Sequence, residues 1–399
     1  MARGRTGRLE LGPLLTAVED APPVAAADVL GEALAEAFGA TEVAFLISDF
    51  TGGTLVRLGQ TTTESADLQP LEGTPHGEAL ARQRVVALPD GDVTRVIAPV
   101  TNRGEAIGVV ELLLPEPPDE GTLEDLALAG HALAYIVIAN RRFTDLYEWG
   151  KRSVPLSLAA EIQHRLLPGA YTCEAGQFTL AAWLEPAGDV GGDTFDFSMS
   201  RDHLDVAMTD AMGHTVDAAV LATVLVGAVR NARRARRSIA EQAATANAAL
   251  HEHRGDGAFV TGQLARIDLA TGTATIVNAG HPLPLRLRGG SVERIELLAD
   301  PPFGVLADQP YRTQELLLEP GDRLLFLTDG VFERHSGLID LDQLVAEAAD
   351  LHPREAVQHL IGAVLEASGE ALEDDATVLC LDWHGGPSRD RTSSSGANV

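Results

Sequence analysis

Cysteine is nearly missing from this chain of 399 residues, which has only Cys173 and Cys380. Two thiols build neither a disulfide framework nor a thiolate metal site, and Cys380 sits in the apolar run ThrValLeuCysLeu, which reads as a buried strand. Basic charge is scarce as well, with 30 Lys and Arg against 58 Asp and Glu and a formal net charge of -28. A surface so acidic repels phosphate backbones and anionic lipid, so neither nucleic acid nor membrane is the expected partner; it suits a protein that collects cations. Long hydrophobic runs are lacking too. The opening MetAlaArgGlyArgThrGlyArg has no apolar stretch behind it long enough for a signal peptide, and no later segment reads as a membrane span. A cytoplasmic protein is the expectation. What is present, 45% hydrophobic and 22% charged residues, reads as globular, and the length predicts two domains, each with its own core.

Residues 1–23, with Arg and Gly and then ProPro, read as a flexible N-terminal arm. The Ala/Leu/Glu-rich run 24–38 has helical spacing and is closed by Gly39. Strands are predicted over Glu42–Ser48, 54–58, 93–100 and 106–114, with AsnArgGly at 102–104 as a hairpin turn. A long apolar helix, about 122–142, closes this stretch. Residues 143–168 read as a helical connector in which Val154, Leu158, Ile162 and Leu166 form a stripe, broken near Pro155. Such a stripe is either core packing or a dimer contact, and a homodimer is expected. Beyond it, residues 169–384 alternate strands with helical blocks at about 216–252, 340–349 and 353–368, and end in a strand at 376–383. That order predicts an α+β domain with sheets inside. The polar tail 385–399 is expected to be disordered.

The chemistry is carried by aspartates at strand ends. Asp193 lies in AspValGlyGlyAspThrPheAsp, Asp210 ends ValAlaMetThrAsp, Asp329 ends LeuLeuPheLeuThrAsp, and Asp374 with Asp375 opens AspAspAlaThrValLeuCysLeu. A buried strand-end carboxylate is costly unless something pairs with it, and no Lys or Arg stands beside three of these four. Convergence on a divalent cation is the economical solution. Ligands that are all oxygen favour Mg²⁺ or Mn²⁺ over zinc. Two such ions can activate water for direct phosphoryl transfer, with no covalent enzyme intermediate.

Six segments in order resemble the type-2C class of metal-dependent protein phosphatases, in its stage II sporulation protein E (SpoIIE) branch. They are AlaAlaGluIleGlnHisArgLeuLeuPro (159–168), ValGlyGlyAspThrPheAsp (190–196), ThrAspAlaMetGlyHis (209–214), AsnAlaGlyHisProLeuPro (278–284), LeuThrAspGlyValPheGlu (327–333) and AspAspAlaThrValLeu (374–379). The resemblance implies a β-sandwich flanked by helices, hydrolysing phosphoserine or phosphothreonine with two Mn²⁺ or Mg²⁺ ions. It implies that Asp193 and Asp210 are shared between the ions, with the carbonyl of Ala211 as a further ligand and Asp329 and Asp374 completing the second ion's shell. The implied partner is a phosphorylated anti-sigma-factor antagonist of the STAS type. Thr215 replaces a Gly common in relatives, and Ala211 departs from the pattern at a position where only a carbonyl is needed. A non-catalytic pseudophosphatase that sequesters its target is the alternative; missing ligands would mark it, and all four aspartates are present.

The N-terminal pattern, helix, antiparallel strands and long exit helix, resembles a GAF sensory domain over about 24–142, most closely at ProValThrAsnArgGlyGluAlaIleGlyValValGluLeu (99–112). It carries no ligand code, so a small-molecule sensor and a ligand-free spacer both stand. His214 and His281 read as structural or as acid/base groups, and ArgAsnAlaArgArgAlaArgArg (230–237) as a solvated helix face or a phosphate receptor. No P-loop and no Cys in a phosphate-cradling loop is found, and Asp193 and Asp196 are not spaced as the Asp-X-Asp nucleophile pair of haloacid-dehalogenase-type phosphatases, so these three other phosphoryl-transfer classes are not supported.

Overall fold

The computed structural model describes residues 9–50, 52–58, 68–151, 157–187, 191–213, 216–253, 257–331, 339–369, 372 and 374–385. These fall into two compact units that divide between the described residues 151 and 157.

The first unit runs α1 (Leu11–Asp20), α2 (Ala26–Phe38), β1 (Glu42–Ser48), β2 (Thr54–Arg57), β3 (Leu68–Pro70), α3 (Pro75–Ala81), β4 (Val86–Asp90), β5 (Val93–Asn102), β6 (Glu105–Leu114), α4 (Glu120–Asn140) and α5 (Leu146–Gly150). Its antiparallel sheet has the order β3-β2-β1-β6-β5-β4. Strand alternation sends Phe45, Ile47, Val110 and Leu112 into a core with α1, α2 and α4. The opposite side chains, Ala44, Leu46, Ile97 and Val109, pack with Ala79 and Leu80 of α3. The β5–β6 hairpin turns at Arg103 and Gly104, both at positive φ, as a tight two-residue turn requires.

One expectation is corrected here. The supposed arm holds a helix, because Leu14 and Val18, four apart, are both buried in the core. In the connector, α4 having ended at Asn140, the short α5 buries Tyr147 in the first unit's core and α6 begins at Leu158. By length and composition α4 would also pass for a membrane span. Its Leu126, Ala129, Leu133, Ala134 and Val137 are instead core residues. The break near Pro155, residue Val154 and the tail beyond 385 lie outside the described residues.

The second unit opens with α6 (Leu158–Leu166), β7 (Thr172–Glu174), β8 (Phe178–Glu185), β9 (Asp193–Met199), β10 (His203–Ala211), α7 (Val216–Arg234) and α8 (Ile239–His253). It continues with β11 (Val260–Asp268), β12 (Thr273–Ala279), β13 (Leu285–Arg288), β14 (Ser291–Arg294), β15 (Gln314–Leu317), β16 (Asp322–Leu327), α9 (Leu341–Glu347), α10 (Pro353–Ser368) and β17 (Ala376–Trp383). Two antiparallel sheets, β15-β12-β11-β10-β9 and β14-β13-β16-β17-β8-β7, pack face to face. In β10, Leu204, Val206 and Met208 point between the sheets, while Ala207 and Ala211 point to α7 and α8. Helices α9 and α10 cover the outer face of the other sheet. The result is a helix-sheet-sheet-helix sandwich, as the period-2 strands and the helical blocks predict.

Candidate active site

One end of the sandwich gathers the aspartates. In the register of β9 with β10, Asp193 lies directly opposite Asp210, so two carboxylates begin and end neighbouring strands of one sheet. From the other sheet, β16 runs out through Thr328 into a 3-10 turn, Asp329–Val331, and Asp374 and Asp375 lead into β17. The two sheets are tied together through Asp193 itself. Thr328 Oγ1 and Thr377 Oγ1 both donate to Asp193 Oδ2, at 2.7 and 2.6 Å. Thr328 Oγ1 also accepts from the Thr377 amide at 2.9 Å.

Asp193 is buried, and its pKa is held well above the ordinary carboxylate range, first by burial and then by the charges of Asp210 and Asp375. The two threonine hydroxyls pull the other way. Such a carboxylate is out of place in a fold without a cation. Asp329 is half-buried and Asp374 exposed on the adjoining turns. Among the described residues no three His, Cys, Asp or Glu side chains are drawn tightly enough together to form a finished metal cage. The chain brings Asp193 and Asp210 together as a pair, with Asp329 and Asp374 close by on the turns of the second sheet.

Close backbone approach explains two glycines. A Cβ on Gly192 would lie 2.6 Å from the carbonyl oxygen of Ala211, and one on Gly330 would lie 2.1 Å from that of Asp375. Only glycine lets the Asp193 turn meet the end of β10, and the Asp329 turn meet the start of β17.

Asp375 has a different task from Asp374. Its Oδ1 accepts from the amide of Ala187 at 2.9 Å, and its Oδ2 from that of Gly192 at 3.1 Å and from Gln163 Nε2 at 2.6 Å. It is a structural clasp whose lone pairs are used within the protein. Asp374 caps it, accepting from the Asp375 amide at 2.9 Å.

His281 stands behind the site rather than in it. Its Nδ1 is 3.0 Å from Thr261 Oγ1, and its amide donates to Asn278 Oδ1 at 2.9 Å. Burial pushes its pKa down to about 3, against an opposing pull from the backbone at Leu327, so the ring is neutral and structural. His214 and Thr215 lie outside the described residues. In the arginine cluster, Arg230 and Arg233 are neither solvated nor open to phosphate. Arg230 forks onto both oxygens of Asp196 and donates to the carbonyl of Leu166, and Arg233 adds a third bond to Asp196.

Gln163, Thr328 and Thr377 were not singled out in the sequence. A signal existed for the threonines: each is a polar residue at an otherwise apolar strand end, beside an aspartate in sequence or one residue removed from it.

The sequence profile of the stage II sporulation protein E (SpoIIE) family matches residues 200–384. Phosphoserine phosphatase RsbU of Bacillus subtilis (strain 168) is 22% identical over 232 residues, covering 57% of this chain and 69% of RsbU. Protein IcfG of Synechocystis sp. is 22% identical over 273 residues, covering 58% of this chain but only 42% of IcfG. Among solved structures, the RsbU and RsbW domains of Rv1364c from Mycobacterium tuberculosis superpose with a TM-score of 0.49 at 24% identity, over 54% of this chain and 63% of that one. The matched segment 200–384 contains Asp210, Asp329 and Asp374, and Asp193 precedes it by one strand. Residues 200–384, all within the second unit, are therefore similar to the stage II sporulation protein E (SpoIIE) family.

Proposed function

We propose that this chain is a metal-dependent protein serine/threonine phosphatase that works with two Mn²⁺ or Mg²⁺ ions. The observation that carries this reading is Asp193: a buried carboxylate facing Asp210 across one strand pair, with two hydroxyl donors and, among the described residues, no Lys or Arg on it. The donor set fits a hard divalent ion, being all oxygen and surplus in negative charge. Asp193 and Asp210 would be shared between the ions, the carbonyl of Ala211 would be a further ligand, and Asp329 and Asp374 would serve the second ion. Bound there, the ions supply Lewis acidity and an activated water for attack on phosphorus. The protein's part is positional. Thr328 and Thr377 fix one oxygen of Asp193, and Gly192 and Gly330 let the ligand-bearing turns close on one another.

The substrate we assign is a phosphoserine or phosphothreonine on a regulatory protein, an anti-sigma-factor antagonist of the STAS type in a partner-switching pathway. The likeness to RsbU, named a phosphoserine phosphatase, supports it. The first unit, a helix-covered antiparallel sheet, suits a GAF-like sensory domain that controls the second within a cytoplasmic homodimer. The test is phosphate release from phosphorylated candidate antagonists by the full chain. Release should need Mn²⁺ or Mg²⁺ and stop in EDTA, and Asp210→Asn and Asp329→Asn should each lower the rate at least about 100-fold. Undiminished turnover in chelator would overturn the assignment.

A further inference from the structure

Gln163 joins helix α6 to the candidate site. Gln163 is buried on the inner face of α6 beside Ala159 and Ala160. Its carboxamide nitrogen donates to Asp375 Oδ2 at 2.6 Å and to the backbone carbonyl of Asp193 at 2.8 Å. Both hydrogens of one rigid planar NH₂ are thereby used, one on the clasp and one on the residue that bears the buried carboxylate. Among the described residues its Oε1 is enclosed with no partner. Turning the amide over would set that oxygen against two acceptors, so one orientation alone works. A residue kept for packing would be apolar here and would leave no orphaned oxygen. A buried glutamine that tolerates one is held for its two donors.

A second contact joins the same helix to the same turn. A Cβ on Gly191 would lie 3.1 Å from the carbonyl carbon and oxygen of Ala159, so the backbone of α6 rests directly on the strand-leading turn that ends in Asp193. Asp375 meanwhile holds the amides of Ala187 and Gly192, on either side of that turn. Helix, turn and clasp thus form one hydrogen-bonded unit. Moving α6 by a fraction of a hydrogen-bond length strains both Gln163 bonds together.

We infer that Gln163 is a positioning residue that sets the affinity of the site for its divalent ion. The inference rests on the phosphatase reading above.

The test uses the full chain with two substitutions, Gln163→Met, which keeps the volume and removes the donors, and Gly191→Ala, which presses on Ala159 from the other side. Mn²⁺ binding is followed by titration calorimetry, and folding by thermal unfolding in EDTA. For Gln163→Met the dissociation constant should rise about 10- to 100-fold, the usual effect of removing a group that orients a metal ligand. The metal-free unfolding temperature should fall by several degrees, because two buried acceptors lose a donor, while the variant stays folded at about 25 °C and its rate recovers as Mn²⁺ is raised. Gly191→Ala should shift the constant in the same direction, and it carries the test if Gln163→Met does not fold. Folded variants that bind Mn²⁺ within about twofold of the parent overturn the positioning role. A parent chain that binds no Mn²⁺ overturns the phosphatase reading instead.

Discussion

Replacing Asp193 by Asn should destroy metal binding and at the same time stabilise the metal-free protein. The parent carboxylate is buried and faces Asp210 in direct cross-strand register. Directly opposed positions place side chains about 5 Å apart, and two unit charges at that distance in an effective dielectric of about 20 repel by about 3 kcal/mol. Asn keeps the shape, and its carbonyl oxygen can accept from Thr328 and Thr377 as Asp193 Oδ2 does. For a unit of this size each kcal/mol moves the unfolding temperature by about 2–4 °C, so a rise of roughly 6–12 °C is expected at neutral pH in EDTA. The pH dependence has a definite sign. Because the folded pKa of Asp193 lies above its unfolded value, protonation stabilises the fold, and that contribution is lost as pH rises through the folded pKa. The advantage of Asn over Asp should therefore shrink on acidification and vanish near the unfolded carboxylate value of about 4. Differential scanning calorimetry of the full chain measures this, the second unit's transition being the one that Mn²⁺ raises in the parent. An Asn variant no more stable than the parent in chelator at neutral pH, or an advantage that stays constant on acidification, would refute the electrostatic argument.

His281, with its folded pKa pushed down to about 3, works in the opposite sense. Its contribution is present above the unfolded value of about 6.5 and is lost as pH falls toward about 3. The stability difference between parent and His281→Gln should vary across that window, as followed by circular dichroism, and a pH-independent difference would show that the ring is not held neutral. On α6, Leu158 is 66% exposed while Ala160 is buried. Leu158→Glu should leave unfolding within about 0.5 kcal/mol of the parent, whereas Ala160→Glu should cost a few kcal/mol by burying a charge. If the outward side of α6 is the homodimer contact, light scattering will find the Leu158→Glu chain dissociating at concentrations where the parent stays paired, and equal masses would remove that contact from consideration.

The second unit was largely legible in its sequence because its strands alternate cleanly and its chemistry sits at strand ends. The final strand, 376–383, and the helix at 353–368 fall where the pattern places them. Two helices replace the single block expected at 216–252, since Arg236 turns the chain with a positive φ and no Gly or Pro announces it. In the first unit β3, α3 and β4 escaped notice. They are short, and β3 is wholly exposed, so no hydrophobic period marks it. The stripe read along the connector packs only in part: Leu166 lies against the core while Leu158 is exposed. The spacing of Leu158, Ile162 and Leu166 is helical, but the face that packs carries Ala159, Ala160 and Gln163, small and polar residues that a hydrophobicity pattern passes over. The same blindness hid Gln163. A buried amide is recognisable only from its partners, and one of these lies 212 residues away in sequence.

That separation bears on how the protein comes into being. The last strand of the second unit, β17, is not at the margin of its sheet but near the middle, between β16 and β8. It brings Thr377 with it and follows directly on Asp374 and Asp375. A chain emerging from the ribosome must hold the early strand β8 and the turn at Asp193 open until this late segment arrives. The pairings that close the sandwich are as non-local as any in the unit, and such pairings form slowly. Completion of the core and assembly of the Asp193 hydrogen bonds are thus one event. A chain interrupted before Ala376 lacks the strand that lies between β16 and β8, and with it the Thr377 hydroxyl that donates to Asp193.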